Sequence, residues 1–562
     1  MKDELLLQVQ KPSRYVGNEL NAVHKDWNKT SIRFALAYPD TYEIGMSNLG
    51  LQILYYIVNN QPAPSGVEVP DCLAERVFTP WPDMEQQLQT SNLKLQSLES
   101  QKPIHEFDVV GFSLGHELTY TNIITMLKLG GIPVRSAERG ENDPLILGGG
   151  PCAFNPEPVA DFFDLFVIGE AEEVLIEIIN TLRNAGCVTR NARLEKLSGI
   201  EGVYVPGISK TVKKRFVKSL DPSPYPLSPI VPFIEAIHDR AAVEIMRGCK
   251  WGCKFCQAGW TNRPVREKSP EVLLQQADEL LKNTGYEELS LISLSSSDYS
   301  SIDTLAKTLA QKYEKKKINI SLPSMRTNSF SIKLAKEIAR VRSGSVTLAP
   351  EAGTQRLRDV IGKNMTEENI MEGIKAAFEE HIEAVKLYFM IGLPTETEAD
   401  LLGICELATK IFNLGRSFSR RARITVNLST FIPKPHTPFQ WERQITIAET
   451  LEKQKFIKQN LRVKAIELRW HQAEASFLEG VFSRGDKQLS KVVEKAWELG
   501  ARFDAWSEHF KFDLWQKAFA ECAIDPNNYL KERQKDEPLP WDFIDAGVPK
   551  ELLLNAANKS SI

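Results

Sequence analysis

Residues 244–257 read Glu-Ile-Met-Arg-Gly-Cys-Lys-Trp-Gly-Cys-Lys-Phe-Cys-Gln. Cys249, Cys253 and Cys256 stand in a C-x3-C-x2-C spacing, three thiols within eight residues. They follow an apolar stretch starting near residue 241 that reads as a strand, so they lie on the loop after it. A structural zinc site closes four ligands, and no fourth Cys or His lies close by. Three thiolates on a [4Fe–4S] cluster leave one iron open, whereas four leave none. Chance clustering, or a zinc knuckle completed from a distance, are alternatives that the spacing leaves open.

Working outward, further strand candidates start near 289, 318, 345, 384 and 423, with helix-length segments between them. Ser269-Pro270 opens one helix as N-cap and first turn. Leu273, Leu274, Ala277, Leu280 and Leu281 share its face, and Gly285 follows its end. Ile302, Leu305, Ala306, Leu309, Ala310 and Tyr313 repeat at helical spacing in the next. Six such βα units predict a partial (β/α)6 parallel barrel with its site at the carboxyl ends of the strands.

Upstream, 221–232 holds five prolines in twelve residues and reads as a linker. Before it, strands at 32–37, 108–113, 145–147 and 165–168 alternate with helices at 49–58, 119–129 and 171–183. That alternation predicts a doubly wound, flavodoxin-like α/β domain that binds ligands beyond its strand ends. The last stretch carries five of the ten tryptophans, and segments 487–499 and 512–521 look helical. The expected division is 1–220, a linker at 221–235, a barrel at 236–464 and a helical module at 465–562.

Composition narrows the class. Of 562 residues, 42% are apolar and 25% charged, an ordinary globular mixture. Lys plus Arg total 69 against 73 Asp plus Glu, a formal net charge of −4, which disfavours a globally basic nucleic-acid binder and leaves room for a local basic patch. No apolar run approaches the roughly 18 residues of a membrane span, and the N-terminus lacks a signal-peptide core. A cytoplasmic protein without membrane contact is expected. Five of the eight cysteines are scattered, as buried free thiols are.

Residues 241–440 resemble the radical S-adenosylmethionine (SAM) superfamily. Cys249, Cys253 and Cys256 match its cysteine motif, and Phe255 its usual aromatic. The resemblance implies a [4Fe–4S] cluster on the three thiolates, SAM on the unique iron, and reductive cleavage to a 5′-deoxyadenosyl radical. It also implies an external one-electron donor such as flavodoxin or ferredoxin. Leu294-Ser295-Ser296-Ser297-Asp298 ends the second strand, where Ser295 and Ser296 either hold SAM or cap a turn. Ala349–Arg356 resembles the family's P-E-x-G-[ST]-x-R segment. Glu351 then accepts from SAM's ribose or amino group and Arg356 pairs with its carboxylate, a local Glu–Arg ion pair being the alternative. Lys386–Thr397, with Gly392, resembles the segment flanking adenine; Tyr388 and Phe389 there fit core positions equally well. Arg326 and His436, after the third and sixth strands, are candidate substrate contacts, His436 also a candidate proton donor.

The first domain resembles the cobalamin-binding domain fused to many such enzymes. Tyr38, Asp40, Ser47, Asn48, Ser113, Gly149, Gly150, Gly169 and Glu170 sit after its strands and carry the resemblance. The D-x-H-x-x-G motif that supplies a lower histidine ligand is absent, and a domain that binds nothing and docks on the barrel is the alternative. The whole chain is similar to uncharacterised B12-binding-domain-containing radical SAM proteins with a Trp-rich tail. The implied activity is radical generation, with cobalamin-assisted methyl transfer to an unactivated carbon as one branch. Methylthio or other sulfur insertion on RNA or protein is a second, disfavoured because no second cysteine cluster is present. A non-catalytic Fe–S or cobalamin-binding module is the alternative class. The substrate, whether RNA, protein or small molecule, and the oligomeric state are not specified.

Overall fold

Alternating apolar residues in Ile32–Tyr38 (β1) serve both faces of a six-stranded sheet. Its other members are Cys72–Phe78 (β2), Val109–Ser113 (β3), Leu145–Gly149 (β4), Leu165–Val167 (β5) and Val203–Tyr204 (β6). The computed structural model describes residues 3–60, 72–184, 189–323 and 345–558. Strand order is β2-β1-β3-β4-β5-β6, parallel except for β6. The order reverses between β1 and β3, which is where doubly wound sheets hold ligands. β2 escapes the hydrophobic pattern because Glu75 and Arg76 occupy its centre, yet every residue of it is buried. Arg76 is neutralised by Glu19 at 2.7 Å and Glu99 at 2.6 Å, a fully desolvated triad that stands only because each charge has its partner.

One face of this sheet, with Phe34, Leu36, Leu147 and Val167, packs against helices Leu49–Asn59 and Val174–Asn184. The other carries Ala35, Val110, Phe112, Ile146 and Phe166. It is covered by Tyr120–Gly130 and by helices Ala473–Ser483, Leu489–Glu498 and Phe512–Glu521 of the C-terminal region. The Trp-rich tail therefore packs on both parts: these helices on the first domain, and its last stretch on the barrel, where Trp541 meets Trp260 and Trp441 and donates to Gln440 at 2.7 Å. Its indoles are anchored one by one: Trp497 on Thr125, Trp506 on Asp40 and Trp515 on Asp504, each at 2.9 Å.

A short strand, Val212–Lys213 (β7), leads to the proline-rich segment, in which Tyr225 and Ile230 are buried. Then come Ala241–Glu244 (β8), Met246–Arg247 (β9), Arg266–Glu267 (β10), Glu288–Ile292 (β11) and Asn319–Ser321 (β12). β8, β11 and β12 form a parallel three-stranded sheet. Ser345–Glu351 (β13), Ala384–Ile391 (β14), Arg423–Thr430 (β15) and Ile466–Trp470 (β16) form a parallel four-stranded one. The six strand starts read from sequence are all present. β16 is an addition. The sheet thus runs past residue 464, and the expected boundary falls just before a strand. Ile466, Leu468 and Trp470 alternate with charged residues, a strand signal hidden by its place at the edge. Ile544–Asp545 (β17) pairs with β7, tying the tail to the end of the first domain. The helix Pro270–Thr284 ends on left-handed Gly285 as expected, although the Ser269 side chain makes no cap bond. No helix among the described residues is long and apolar enough to cross a membrane.

Asp504 pins the tail to the first domain by accepting from Thr121 Oγ1 at 2.7 Å and from the Trp515 indole. Burial pushes its carboxyl up to about 6. Its contribution to the fold is therefore complete below about pH 4 and lost as pH rises through 6, roughly 3 kcal/mol in all. Asp504→Asn keeps an acceptor for Trp515. It is expected to become progressively more stable than the wild type between pH 4 and 7 in urea titrations; parallel curves would remove this carboxyl from the pH dependence.

Candidate active site

The cysteine loop is clamped on three sides. The Lys254 amide donates to Ile361 O at 2.9 Å, Phe439 N donates to Lys254 O at 3.2 Å, and Trp260 Nε1 donates to Cys253 O at 3.0 Å. Trp251, between the first two cysteines, donates to Asp298 after β11, and Lys250 pairs with the same carboxylate at 3.0 Å. Cys253 is buried; Cys249 and Cys256 are half-buried. Cys256 caps the short helix Gln257–Thr261, its sulfur accepting from Gly259 N at 3.3 Å. Burial pushes its thiol up to about 11, and the nearby Cys253 and Cys249 sulfurs push the same way. Three soft donors converging on one loop, with none of them in a disulfide, suit an iron–sulfur cluster with an open position.

The segments singled out for SAM gather around this loop. Phe255 packs with Ala352, Leu357, Met390, Leu393, Phe431 and Phe439, so the ends of β13, β14 and β15 meet the third cysteine's neighbour. Glu351 ends β13 after a register shift, with φ +68°, and its carboxylate pairs with Lys363 at 3.1 Å. A left-handed glutamate costs about 1–3 kcal/mol, strain of the kind that collects at ligand sites. Arg356 does not pair with Glu351. It donates to Thr395 O at 2.9 Å and pairs with Asp400, which also accepts from Thr397 and Thr354. Gly392 closes β14 with φ +80°, its N–H donating to both oxygens of Glu396 at 3.0 Å; a Cβ there would lie 2.6 Å from Ile445. The Ser295 hydroxyl bonds Asp298 at 2.5 Å and that of Ser296 bonds Leu291 O at 3.0 Å, so both hydroxyls are spent on the turn. Phe389 is core; Tyr388 is 42% exposed on the opposite face of β14. Arg326 lies outside the described residues.

A cavity of about 500 Å³ lies between the first domain and the barrel. Asn48, Ser113, Gly149, Gly150, Gly169 and Glu170 line it, six of the nine residues singled out in that domain. Tyr38, Asp40 and Ser47 do not. Asp40 is taken by Trp506 and by the Thr41 amide, and Ser47 by Glu43 O and the His238 amide. From the barrel, Glu244, Arg247, Gly248, Asn262, Ser293 and Leu294 complete the wall, so the cavity reaches the residue before Cys249. Sequence reading missed these barrel residues, although Arg247 stands within the cysteine stretch itself. Arg247 pairs with Glu170 at 3.2 Å, Glu172 at 2.6 Å and Glu244 at 2.8 Å, and Arg266 pairs with Glu170 at 2.7 Å. Burial raises the Glu170 carboxyl, but Arg266 and Arg247 overcome it and hold the group below its ordinary value.

The cavity floor is bare. Built Cβ atoms at Gly111, Gly115 and Gly149 would meet nothing closer than 4.0, 3.5 and 3.8 Å. Protein packing does not demand glycine at these three positions, and their lack of side chains leaves backbone open to a flat ligand. Gly169 is the contrast: with φ +104°, its Cβ would fall 2.1 Å from Arg215 O.

On the far side of the mouth, Lys434 follows β15 and meets Glu117, Glu479 and Ser483 at 2.7, 2.8 and 2.7 Å. His116 lies 3.5 Å from Glu479. This His–Glu–Glu group has ligand atoms within 4.8 Å of one another, but the Lys434 ammonium already fills the cation position. His436 is buried, its Nε2 2.9 Å from Phe154 O, and burial pushes it down to about 4. It is a neutral domain contact, which corrects its reading as a proton donor or substrate contact. The first domain therefore grips the barrel mouth on both sides, at β8–β9 and after β15.

Two family models match the chain: "Radical SAM proteins, N-terminal" over residues 50–206 and "Radical SAM superfamily" over 243–408. The uncharacterised protein MJ0966 of Methanocaldococcus jannaschii is 30% identical over 407 residues, 72% of this chain and 83% of that one. The uncharacterised methyltransferase PH0819 of Pyrococcus horikoshii is 22% identical over 48% of this chain and 59% of its own length. Among solved structures, the cobalamin-dependent S-adenosylmethionine radical enzyme OxsB, with aqua-cobalamin and S-adenosylmethionine bound, superposes with TM-score 0.50 at 13% identity, covering 100% of this chain and 84% of that chain. With the cysteine loop at the mouth of a parallel barrel and both parts matched, the chain belongs to the radical SAM superfamily, whose enzymes use a [4Fe–4S] cluster and S-adenosylmethionine.

Proposed function

We propose that Cys249, Cys253 and Cys256 hold the cluster, that the 500 Å³ cavity takes cobalamin, and that the enzyme transfers a methyl group to an unactivated carbon. The observation that carries the cobalamin reading is the cavity floor, where three glycines are free of packing demands and open toward the residue before Cys249. When bound, the cluster supplies the electron that cleaves SAM and cobalamin supplies a methyl carrier. The chain's own residues bind, orient and exclude water. Phe255 and its apolar neighbours seal the inner side of the cluster loop. Glu351, held in a strained turn, offers a carboxylate to SAM's ribose or amino group, and the end of β14 at Gly392 flanks the adenine. Arg356 holds the Thr395 turn through Asp400 and positions that segment. No histidine lines the cavity among the described residues, so none of this chain's imidazoles would be at hand for a corrin held there. PH0819, named a methyltransferase, agrees with the reaction class. An external flavodoxin- or ferredoxin-like protein supplies electrons in a cytoplasmic setting.

Anaerobic reconstitution tests the cluster. Cys253→Ala is expected to lose both iron–sulfur absorbance and 5′-deoxyadenosine formation while keeping wild-type circular dichroism; full SAM cleavage by this variant would refute the ligand assignment. Glu351→Gln is expected to raise the SAM Kd about tenfold, near 1.4 kcal/mol for a charge-assisted hydrogen bond, with iron content unchanged. Equal affinity would remove Glu351 from the SAM site. For the cavity, Gly149→Val is expected to fold normally yet retain no corrin after desalting, whereas Gly169→Val should lower the melting temperature. Corrin retention by Gly149→Val would remove this cavity wall from the corrin site, and none by the wild type would make the first domain structural.

A further inference from the structure

We infer that the turn between helix Glu398–Phe418 and β15 is a docking site for single-stranded nucleic acid. Arg416, Arg420, Arg421 and Arg423 fall within eight residues, and all four side chains are exposed. Among the described residues, none of them has a carboxylate within ion-pair distance. Arg416 donates to the Arg420 carbonyl and lies 5.8 Å from the Phe412 ring. The Glu383 carboxylate, beside this turn, accepts from the Ser419 hydroxyl at 2.7 Å, and its backbone carbonyl accepts from Arg423 N at 2.8 Å. Many arginines elsewhere in the chain are paired with carboxylates, as at Arg76, Arg247, Arg266 and Arg443. In a protein of net charge −4, four unpaired guanidiniums on one turn are a local departure that repels itself unless a polyanion covers it.

An aromatic platform selects the kind of polyanion. Phe418 is 43% exposed, and its ring lies nearly parallel to that of buried Phe378, at 17° and 6.2 Å between centroids. With Phe378 packed against this ring and much of the residue left to solvent, Phe418 offers a surface on which an unpaired base can stack. Guanidinium forks match phosphate oxygens two at a time, which lysines do not. A duplex hides its base faces, and a membrane surface asks for an apolar stripe where this turn exposes a single ring. The strand β15 begins at this patch and ends at the mouth, about 25 Å away at 3.3 Å per residue, so the patch holds a polymer away from the reacting atoms. The inference is independent of the cofactor assignment.

Fluorescence anisotropy of the full chain with a labelled, mixed-sequence single-stranded RNA of about 15 nucleotides is the test. Four phosphate contacts at about 0.7 each predict a salt slope near −3, hence roughly fifty-fold weaker binding at about 200 mM than at about 50 mM salt. Arg420→Glu with Arg421→Glu should raise Kd at least tenfold and flatten that slope. Phe418→Ser should raise Kd roughly tenfold with the slope unchanged. The proposal is overturned by no binding at the lower salt, by wild-type binding in the double variant, or by Phe418→Ser binding as wild type with a blunt duplex binding equally, which is polyanion attraction alone. Capture by phosphatidylserine vesicles without RNA binding would overturn it in favour of a membrane surface.

Discussion

Glu170 carries the geometry of the site. Its two oxygens receive Arg266 at 2.7 and 2.8 Å and Arg247 at 3.2 Å, and the Val217 amide adds a fourth bond at 2.7 Å. Glu170 follows the last parallel strand of the first domain, and Arg247 stands two residues before the first cysteine. One carboxylate thus sets the ligand edge of one sheet against the cofactor loop of another. All members are mostly buried, so the attraction is little screened, and removing one partner would strand a guanidinium in a poorly solvated place at a cost of several kcal/mol. The matching contact across the mouth, Lys434 with Glu117 and Glu479, fixes the second point of the cap. Two points on opposite sides of the mouth are what a rigid chamber between two domains requires.

This dependence on buried charge also explains what was legible in the sequence. The barrel strands were readable because Val243, Leu289, Leu291, Val385, Leu387, Val426 and Leu428 face helices and alternate with polar or small residues. The cysteine loop was readable because its chemistry is local in sequence. β2 was not, since Glu75 and Arg76 break the apolar pattern and find their partners tens of residues away. His436 was misjudged for the same reason: nothing near it in sequence announces that Phe154 O and the first domain enclose it. The pairing of Arg356 with Asp400 was hidden because the two lie 44 residues apart. Pairings between distant segments decide whether a charged residue serves a ligand or the fold, and periodicity carries no record of them.

The tail illustrates the limit from the other side. Its tryptophans were visible, but where they dock is fixed by single acceptors: Thr125 and Asp40 on the first domain, Gln440 on the barrel, and Asp504 within the tail itself for Trp515. Covering that sheet face leaves only the opposite face and the strand ends to meet the barrel. The tail thereby sets which side of the first domain is available for a ligand, without touching the cavity.

Glycines separate fold from function more cleanly than any polar residue here. At Gly169, Gly353 and Gly392 a Cβ would collide at 2.1, 2.2 and 2.6 Å, so these residues are fixed by the chain's own packing. At Gly111, Gly115 and Gly149 the same atom would meet only ordinary contacts, yet all three line one cavity. A strand interior gains roughly 0.5–1 kcal/mol when glycine becomes alanine, so Gly111 in β3 and Gly149 in β4 represent stability given up, with Gly115 bare just beyond β3. The wall they leave bare is flat, apolar along Leu36, Leu147 and Val167, and edged by the Glu170–Arg247 ion pairs. A planar ligand with polar edge groups would return that stability by covering the backbone and meeting the charged rim, and among the described residues no contact does so in its place.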